Sequence, residues 1–455
     1  LILELHFDKG SLILKTSDTT TFDPIHPWIW DERSEHHRTL AYEYPRVLKQ
    51  ISVHQGVDRA KCFEQHQWEW CDDRELRPYQ CEALEAWRRS KGRGVVVLPT
   101  GAGKSLLAMK AIHKTSRTTL VIVPTLDLMA QWMNDMERVF SSQIGQMGGG
   151  VHDIRDITVS TYDSAHLHME HVGHRFGMLV FDECHHLPSS SYQWIAKMSI
   201  APFRLGLSAT PERHDGSDAH LSDLIGEEVY RAKVQELRGN YLSEYETITM
   251  EIEMDSDERQ LFQSERAIYT NFIKEEQVDM SHPSGWSQFL QVCFRSPEGK
   301  RAYQAYLTQK KLAKGSRAKL KRLQELLFLH RKEQVLVFTD DNETAYRIGE
   351  YFCLPVITHH TKMRERKAFL KAFKEKVYPF LITSKVLNEG VDLPAVKVAV
   401  IVSGSASVRE HVQRLGRVLR KQGDQVARLY EMISKESGEH WQSRRRRQHE
   451  AYKQR

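Results

Sequence analysis

The chain is predicted to be α/β, with two tandem parallel-sheet lobes, a small α+β domain in front of them and a helical insertion between them. Three observations carry this. Short, wholly apolar segments alternate with helical stretches over residues 75–230, and the same alternation returns after residue 333. Between the two series lies a basic stretch with helical periodicity and no comparable run of strands. Strands buried on both faces of a parallel sheet read as continuous apolar runs, which is the pattern in both series.

Residues 1–72 form the leading piece. Leu3, Leu5 and Phe7 alternate with Glu4 and His6, Asp8-Lys9-Gly10-Ser11 turns the chain, and Leu12 and Leu14 resume the alternation. This predicts a hairpin with one buried face. Trp28, Trp30, Trp68 and Trp70 follow, and suit either a compact core or a base-stacking surface. Residues 73–238 make the first lobe, with strands expected at 94–98, 119–123, 157–160, 178–181 and 205–208. Each ends in a candidate functional loop, as expected where ligands sit off the carboxyl ends of strands. Residues 239–332 read as helical, with Leu320, Leu323 and Leu327 on one face and Lys319, Lys321 and Arg322 around it. Residues 333–455 make the second lobe, with strands expected at 334–338, 356–358, 379–383 and 396–401.

A chain of 455 residues has room for about three domains at roughly 150 residues each. Its 40% apolar and 27% charged residues are ordinary for a globular protein. The six cysteines are scattered without a Cys-x-x-Cys pair, which argues against a disulfide framework or zinc finger and for a reducing interior. No run approaches the ~20 apolar residues that span a bilayer, so no membrane partner is expected. The net charge of +5 is mild, but residues 301–332 hold ten Lys/Arg and one acid, Glu325, and Arg444-Arg445-Arg446-Arg447 closes the chain. Such stretches suit a solvated face or a polyanion.

The strongest motif is Pro99-Thr100-Gly101-Ala102-Gly103-Lys104-Ser105, set between an apolar strand and a helix. Glycines let the backbone wrap phosphates, and the amides and helix N-terminus bind the anion. Lys104 is expected to reach the β- and γ-phosphates, and Ser105 to ligand magnesium. Leu98 stands where the full Walker A pattern has a glycine. Asp182-Glu183 ends a second buried strand; Asp182 is suited to hold Mg2+ through water, and Glu183 to orient and deprotonate the attacking water. Upstream, Arg77-Pro78-Tyr79-Gln80 offers the Gln80 amide as an adenine reader.

Together these elements resemble a superfamily-2 helicase of the XPB-like branch, over nearly the whole chain. The resemblance also rests on Val123-Pro124-Thr125, Thr158-Val159-Ser160-Thr161-Tyr162, Leu207-Ser208-Ala209-Thr210-Pro211, Leu387-Asn388-Glu389-Gly390-Val391-Asp392 and residues 413–420. Residues 188–207 look particularly like short prokaryotic XPB proteins. The resemblance implies two RecA-like lobes, a DNA-distortion-sensing domain in front, a thumb-like insertion and a 3′-to-5′ DNA motor that hydrolyses ATP in DNA repair. It implies that Thr100, Gly101, Gly103, Gly390, Asp392 and Gln413 line the nucleotide, and that Arg417 and Arg420 face the γ-phosphate from the second lobe. It places Thr125, Gly149, Thr161, Thr339 and Thr383 near one DNA strand, where short hydroxyls and glycines suit phosphate contacts. Arg213-His214-Asp215 stands near the family's Arg-Glu-Asp element, so Arg213 and Asp215 are its candidate DNA residues, with His214 where the family has an acid. Cys184 replaces a common Val, and Asn388 a common Asp.

The substrate implied is duplex, forked or damaged DNA, with a separate nuclease as partner. The implied location is the cytoplasm of a prokaryote, in association with the nucleoid, or the nucleus if the source is eukaryotic. Two other readings stay open: the motor of a restriction-type complex, and an ATP-gated clamp that distorts DNA without unwinding it.

Overall fold

The structure is a computed structural model that describes residues 3–16, 26–209, 217–232, 234–237, 245–282, 284–384, 396–403, 426–435, 437 and 439. The chain divides into two compact units, one N-terminal and ending at Glu236, the other built from the C-terminal half.

The N-terminal unit starts with the expected hairpin. Strands Leu3–Asp8 and Ser11–Thr16 pair antiparallel with Asp8 opposite Ser11, leaving Lys9 and Gly10 as a two-residue turn. Both have positive φ (44° and 79°), as the tight hairpin turn that matches strand twist requires. The hairpin sits inside a five-stranded sheet ordered Ile29–Asp31, His36–Leu40, Ser11–Thr16, Leu3–Asp8, Val57–Asp58. Its buried face carries Leu3, Leu5, Leu12 and Leu14 against Val47 and Ile51 of helix Tyr44–Val53.

The four tryptophans do not act together. Trp28 enters this small core and donates its indole N–H to Gln50 (3.0 Å), while Trp30 is exposed. Trp68 and Trp70 lie on the next domain. Two residues apart on an extended segment, they project to one side and set their rings 6.1 and 5.9 Å from Phe140. Lys110 caps the Trp70 ring at 3.4 Å. Backbone bonds from His66 to Ser116 and from Cys71 to Val139 pin the same segment. The link between the small domain and the lobe is therefore a strap held along its length.

The small domain also packs directly on the lobe. Ile200 belongs to its apolar cluster, and Phe7 stacks on His174 at 4.6 Å. Gly10 is required by contact as well as by turn geometry, because a Cβ there would lie 2.6 Å from the Met198 side chain.

The first lobe is an eight-stranded sheet ordered Glu228–Arg231, Arg93–Val97, Phe203–Ser208, Met178–Asp182, Thr119–Val123, Ile157–Thr161, Gly145–Gly148, Val151–Asp153. All neighbours are parallel except the last pair. Every strand expected in this lobe is present. Arg204, on Phe203–Ser208, is fully buried; its guanidinium donates to the carbonyls of Ser199 (2.9 Å), Ala201 (3.2 Å) and Leu224 (2.5 Å). Those bonds tie the strand to the loop before it and to helix Leu221–Leu224.

The C-terminal unit holds a six-stranded sheet, all parallel, ordered Tyr245–Ile252, Ala427–Ser434, Val398–Ile401, Val335–Phe338, Phe380–Thr383, Val356–Ile357. The four strands expected from sequence are there. Two are additions: Ala427–Ser434, and the first one, Tyr245–Ile252, which falls in the stretch read as helical. As an edge strand it buries one face only, so Ile248, Met250 and Ile252 alternate with Thr247, Thr249 and Glu251 and make no continuous apolar run. Helix Arg317–Leu329 carries Leu320, Leu323 and Leu327 into the core of this sheet, beside Val335, Val337, Val398 and Val400.

Helices Ser256–Glu275, Gly285–Cys293 and Pro297–Gly315 remain as the insertion, around Phe272, Phe289, Cys293 and Ala302. The basic stretch is largely engaged within the fold. Arg301 makes a two-pronged bond to Glu265 at 2.7 Å, and Lys314 meets Asp340 and Asp341. Arg317 pairs with Asp257, Arg322 with Glu325, and the fully buried Lys319 with Glu439 at 2.8 Å. More than half of its cations are thus paired with acids, supplied mostly from other segments.

Candidate nucleotide site

The site forms where strands Arg93–Val97 and Met178–Asp182 end. Leu98 still belongs to the sheet: it is fully buried, and its N–H donates to the Ser208 carbonyl (3.0 Å). That accounts for a leucine where the generic motif has a glycine. The wrapping begins later, with Gly101 (φ 84°) and Gly103 (φ 78°) in the left-handed region that favours glycine. Helix Lys104–Thr115 follows at once, so its free N-terminal amides face the loop. The Thr100 hydroxyl is buried in the loop with no protein partner. An orphan hydroxyl, left-handed glycines and a helix N-terminus fit a polyphosphate.

Asp182 is buried at the strand end. Its carboxylate accepts from the Trp132 indole (2.9 Å) and the Glu183 amide (3.0 Å), and Tyr162 donates to its carbonyl (3.0 Å). Burial, then the charge of Glu183, pushes the Asp182 carboxyl above the usual range. A cation beside it would reverse that cost. The donor set, a Ser105 hydroxyl opening the helix and the Asp182 carboxylate, is hard oxygen chemistry and fits magnesium.

Glu183 takes a left-handed backbone (φ 47°, ψ 54°), costly for a residue with a long side chain. There its carboxylate lies 3.3 Å from Lys104 Nζ and 3.5 Å from His185 Nδ1. His185 is itself buried and contacts the Ser208 hydroxyl at 3.2 Å. Lys104, Asp182, Glu183, His185 and Ser208 therefore form one connected group reaching the end of strand Phe203–Ser208. Cys184, beside it, is fully buried, and burial pushes its thiol well above the ordinary range, so it adds no reactive thiolate.

The Gln80 amide oxygen accepts from the Arg77 N–H (2.8 Å), and its amide nitrogen donates to the carbonyls of Ala102 (2.9 Å) and Gly103 (3.1 Å). In this conformation both ends of the amide meet protein, and Gln80 grips the phosphate loop. Arg77 lies beside it, donating to the Tyr79 hydroxyl at 3.3 Å.

Three residues expected near DNA converge in this unit. Thr125 and Thr161 cap helices Leu126–Phe140 and Tyr162–Val172, accepting from the amides of Leu128 (3.2 Å) and Ser164 (3.3 Å). Gly149 packs beside Leu126, and Gly148 beside Thr161. Two helix N-termini and a glycine turn are thus adjacent. In the other unit, Thr339 and Thr383 are fully buried, and their hydroxyls donate to the carbonyls of Asp341 (2.9 Å) and Ser384 (3.0 Å). In this conformation they shape strand ends. Arg213, Asp215, Gly390, Asp392, Gln413, Arg417 and Arg420 lie outside the described residues.

Trp132 was not legible as a site residue. It follows Met129 and precedes Met136 on the buried face of its helix, a spacing that reads as core. Trp132→Phe keeps that face apolar and removes the donor to Asp182. We expect steady-state ATP turnover to fall about tenfold, the worth of one bond to a charged group.

Comparison with known proteins places the chain among helicases. Residues 73–213 match the model for the type III restriction enzyme res subunit, 318–422 the helicase conserved C-terminal domain, and 5–55 the Xeroderma pigmentosum group B helicase damage recognition domain. The DNA 3'-5' translocase XPB2 of Sulfurisphaera tokodaii is 35% identical over 92% of this chain and 95% of its own. The DNA 3'-5' helicase XPB of Kineococcus radiotolerans is 30% identical over 80% of this chain and 60% of its own. The crystal structure of the Pyrococcus furiosus Hef helicase domain shares the fold, with a TM-score of 0.50 at 18% identity over 81% of this chain and 98% of that one. Among the described residues, no helix is long and apolar enough to cross a membrane.

Proposed function

Because this chain belongs to the XPB family of DNA helicases, we propose that it is an ATP-dependent DNA translocase and helicase, moving 3′ to 5′ on duplex, forked or damaged DNA in repair. The observation that supports it most is the contact between Lys104, from the phosphate loop, and Glu183, from the end of strand Met178–Asp182. It puts a phosphate-binding cation and a candidate base within one hydrogen bond of each other.

In this reading the loop amides and Lys104 hold the triphosphate. Ser105 and Asp182 would hold magnesium, which supplies neutralising charge at the phosphates. Glu183 orients a water and takes its proton as ADP and phosphate form. His185 and Ser208 carry the state of Glu183 to the strand end, a short path by which turnover reaches the loop after it. Thr125, Gly149 and Thr161 contact backbone phosphates of one strand without reading sequence. The resemblance gives Arg417 and Arg420 the role of γ-phosphate partners. A separate nuclease subunit, acting with this chain at the nucleoid, completes the proposal.

ATP hydrolysis measured without DNA, then with single strands, intact duplex and forked duplex, tests this. DNA is expected to stimulate turnover strongly, and forked duplex to be separated by strand displacement. Turnover indifferent to DNA would overturn the motor reading. Stimulation without displacement would leave a translocase or clamp in place of a helicase.

A further inference from the structure

We infer that Tyr79 is a positioning residue for the phosphate loop, acting with Gln80 to aim the loop's amides at the triphosphate. The inference rests on the nucleotide-binding reading above. Tyr79 and Gln80 are both buried, at 6% and 2% exposure, on the first turn of helix Pro78–Arg89. The Tyr79 hydroxyl donates to the Ala102 carbonyl at 2.8 Å, and the Gln80 amide donates to the same oxygen at 2.9 Å and to the Gly103 carbonyl at 3.1 Å. Three hydrogen bonds from two side chains therefore hold two consecutive carbonyls of the loop.

Peptide planarity turns that grip into a directional effect. In a trans peptide the carbonyl of one residue and the N–H of the next point in opposite directions. Fixing the Ala102 carbonyl toward Tyr79 and Gln80 aims the Gly103 N–H away from them. Fixing the Gly103 carbonyl does the same for the Lys104 N–H. Those two amides stand where the loop meets the helix N-terminus, the place where an anion is bound. Gly103 must be a glycine for this: its φ is 78°, and a Cβ would lie 2.4 Å from the Gln80 amide nitrogen.

A grip on the loop and a reading of the base have different signatures. If Tyr79 acts through the amides, its loss weakens any ligand held by its phosphates, with or without a base. Equilibrium binding of ATP, GTP and inorganic tripolyphosphate to the full chain, native and Tyr79→Phe, separates the two. We expect all three affinities to fall by the same factor, roughly fivefold for one buried hydrogen bond. KM for ATP should rise by that factor while kcat changes less than about twofold, a split that general loosening of the fold would not give. Gln80→Leu, which cannot donate, should repeat the pattern with a larger factor. Weakened ATP binding with unchanged tripolyphosphate binding would overturn the inference in favour of base reading. Unchanged binding of all three by Tyr79→Phe would also overturn it. A native chain that binds neither ATP nor tripolyphosphate would remove the nucleotide assignment and the inference together.

Discussion

Glu183→Gln is expected to bind ATP about as tightly as the native chain and to hydrolyse it about 10²- to 10⁴-fold more slowly, the usual worth of a positioned base. The substitution isolates proton transfer because it leaves nearly everything else in place. Gln matches Glu in size, so the left-handed backbone at this position costs the same. Its amide oxygen still accepts from Lys104, now 3.3 Å away. What is lost is the capacity to take a proton, together with the negative charge beside Lys104 and Asp182. Phosphate release and nucleotide titration on the same preparation read the two quantities separately. Normal turnover would remove Glu183 from the role of base. Loss of binding along with turnover would mean that its charge organises the loop.

Arg204→Leu is expected to lower stability by at least about 3 kcal/mol, because three buried carbonyls lose their donors together and each unsatisfied group costs about 1–3 kcal/mol. For a unit of this size that is about a 10 °C fall in unfolding midpoint. Arg204 has no carboxylate among its hydrogen-bond partners, and its full burial holds its pKa well below the ordinary arginine range. Its value lies in the fork of donors, which spans the carbonyls of Ser199, Ala201 and Leu224. Lysine has one donor centre and cannot span them, so Arg204→Lys should recover little of the loss. Thermal unfolding followed by circular dichroism checks both variants. A midpoint within two degrees of native would mean that the carbonyls find other partners.

Much of the fold was legible, for a reason that also marks where legibility stops. Strands such as Thr119–Val123 and Met178–Asp182 are fully buried, so their sequences are continuous apolar runs that admit few other readings. The edge strand Tyr245–Ile252 escapes that rule because half its side chains face away from the core. Trp68 and Trp70 show a second limit. Composition places four tryptophans in one piece of chain, but which domain each ring covers depends on contacts with Phe140 and Lys110, far away in sequence. In the site, Lys104, Asp182 and Glu183 stood out because phosphate chemistry asks for those residue types after a glycine loop and at a strand end. Trp132 and Tyr79 were hidden, since a hydrogen-bonding aromatic on an apolar helix face looks like any core residue. For Gln80 a motif names the residue and not the direction in which its amide points, here toward the Arg77 N–H and the Ala102 and Gly103 carbonyls.

The pairing of Tyr245–Ile252 with Ala427–Ser434 has a consequence for how the protein is made. Tyr245 meets Ala427 in the finished sheet. At translation rates of 5–20 residues per second, the earlier strand waits for its neighbour about 10–40 s. Throughout that time it presents an unpaired edge with an apolar face, the kind of surface that recruits strands from other chains. The sheet of the second unit therefore closes only when strand Ala427–Ser434 has left the ribosome. Truncation before Ala427, or a stall in that window, should yield aggregated chains, while the N-terminal unit, whose strands all lie before Glu236, completes its fold early.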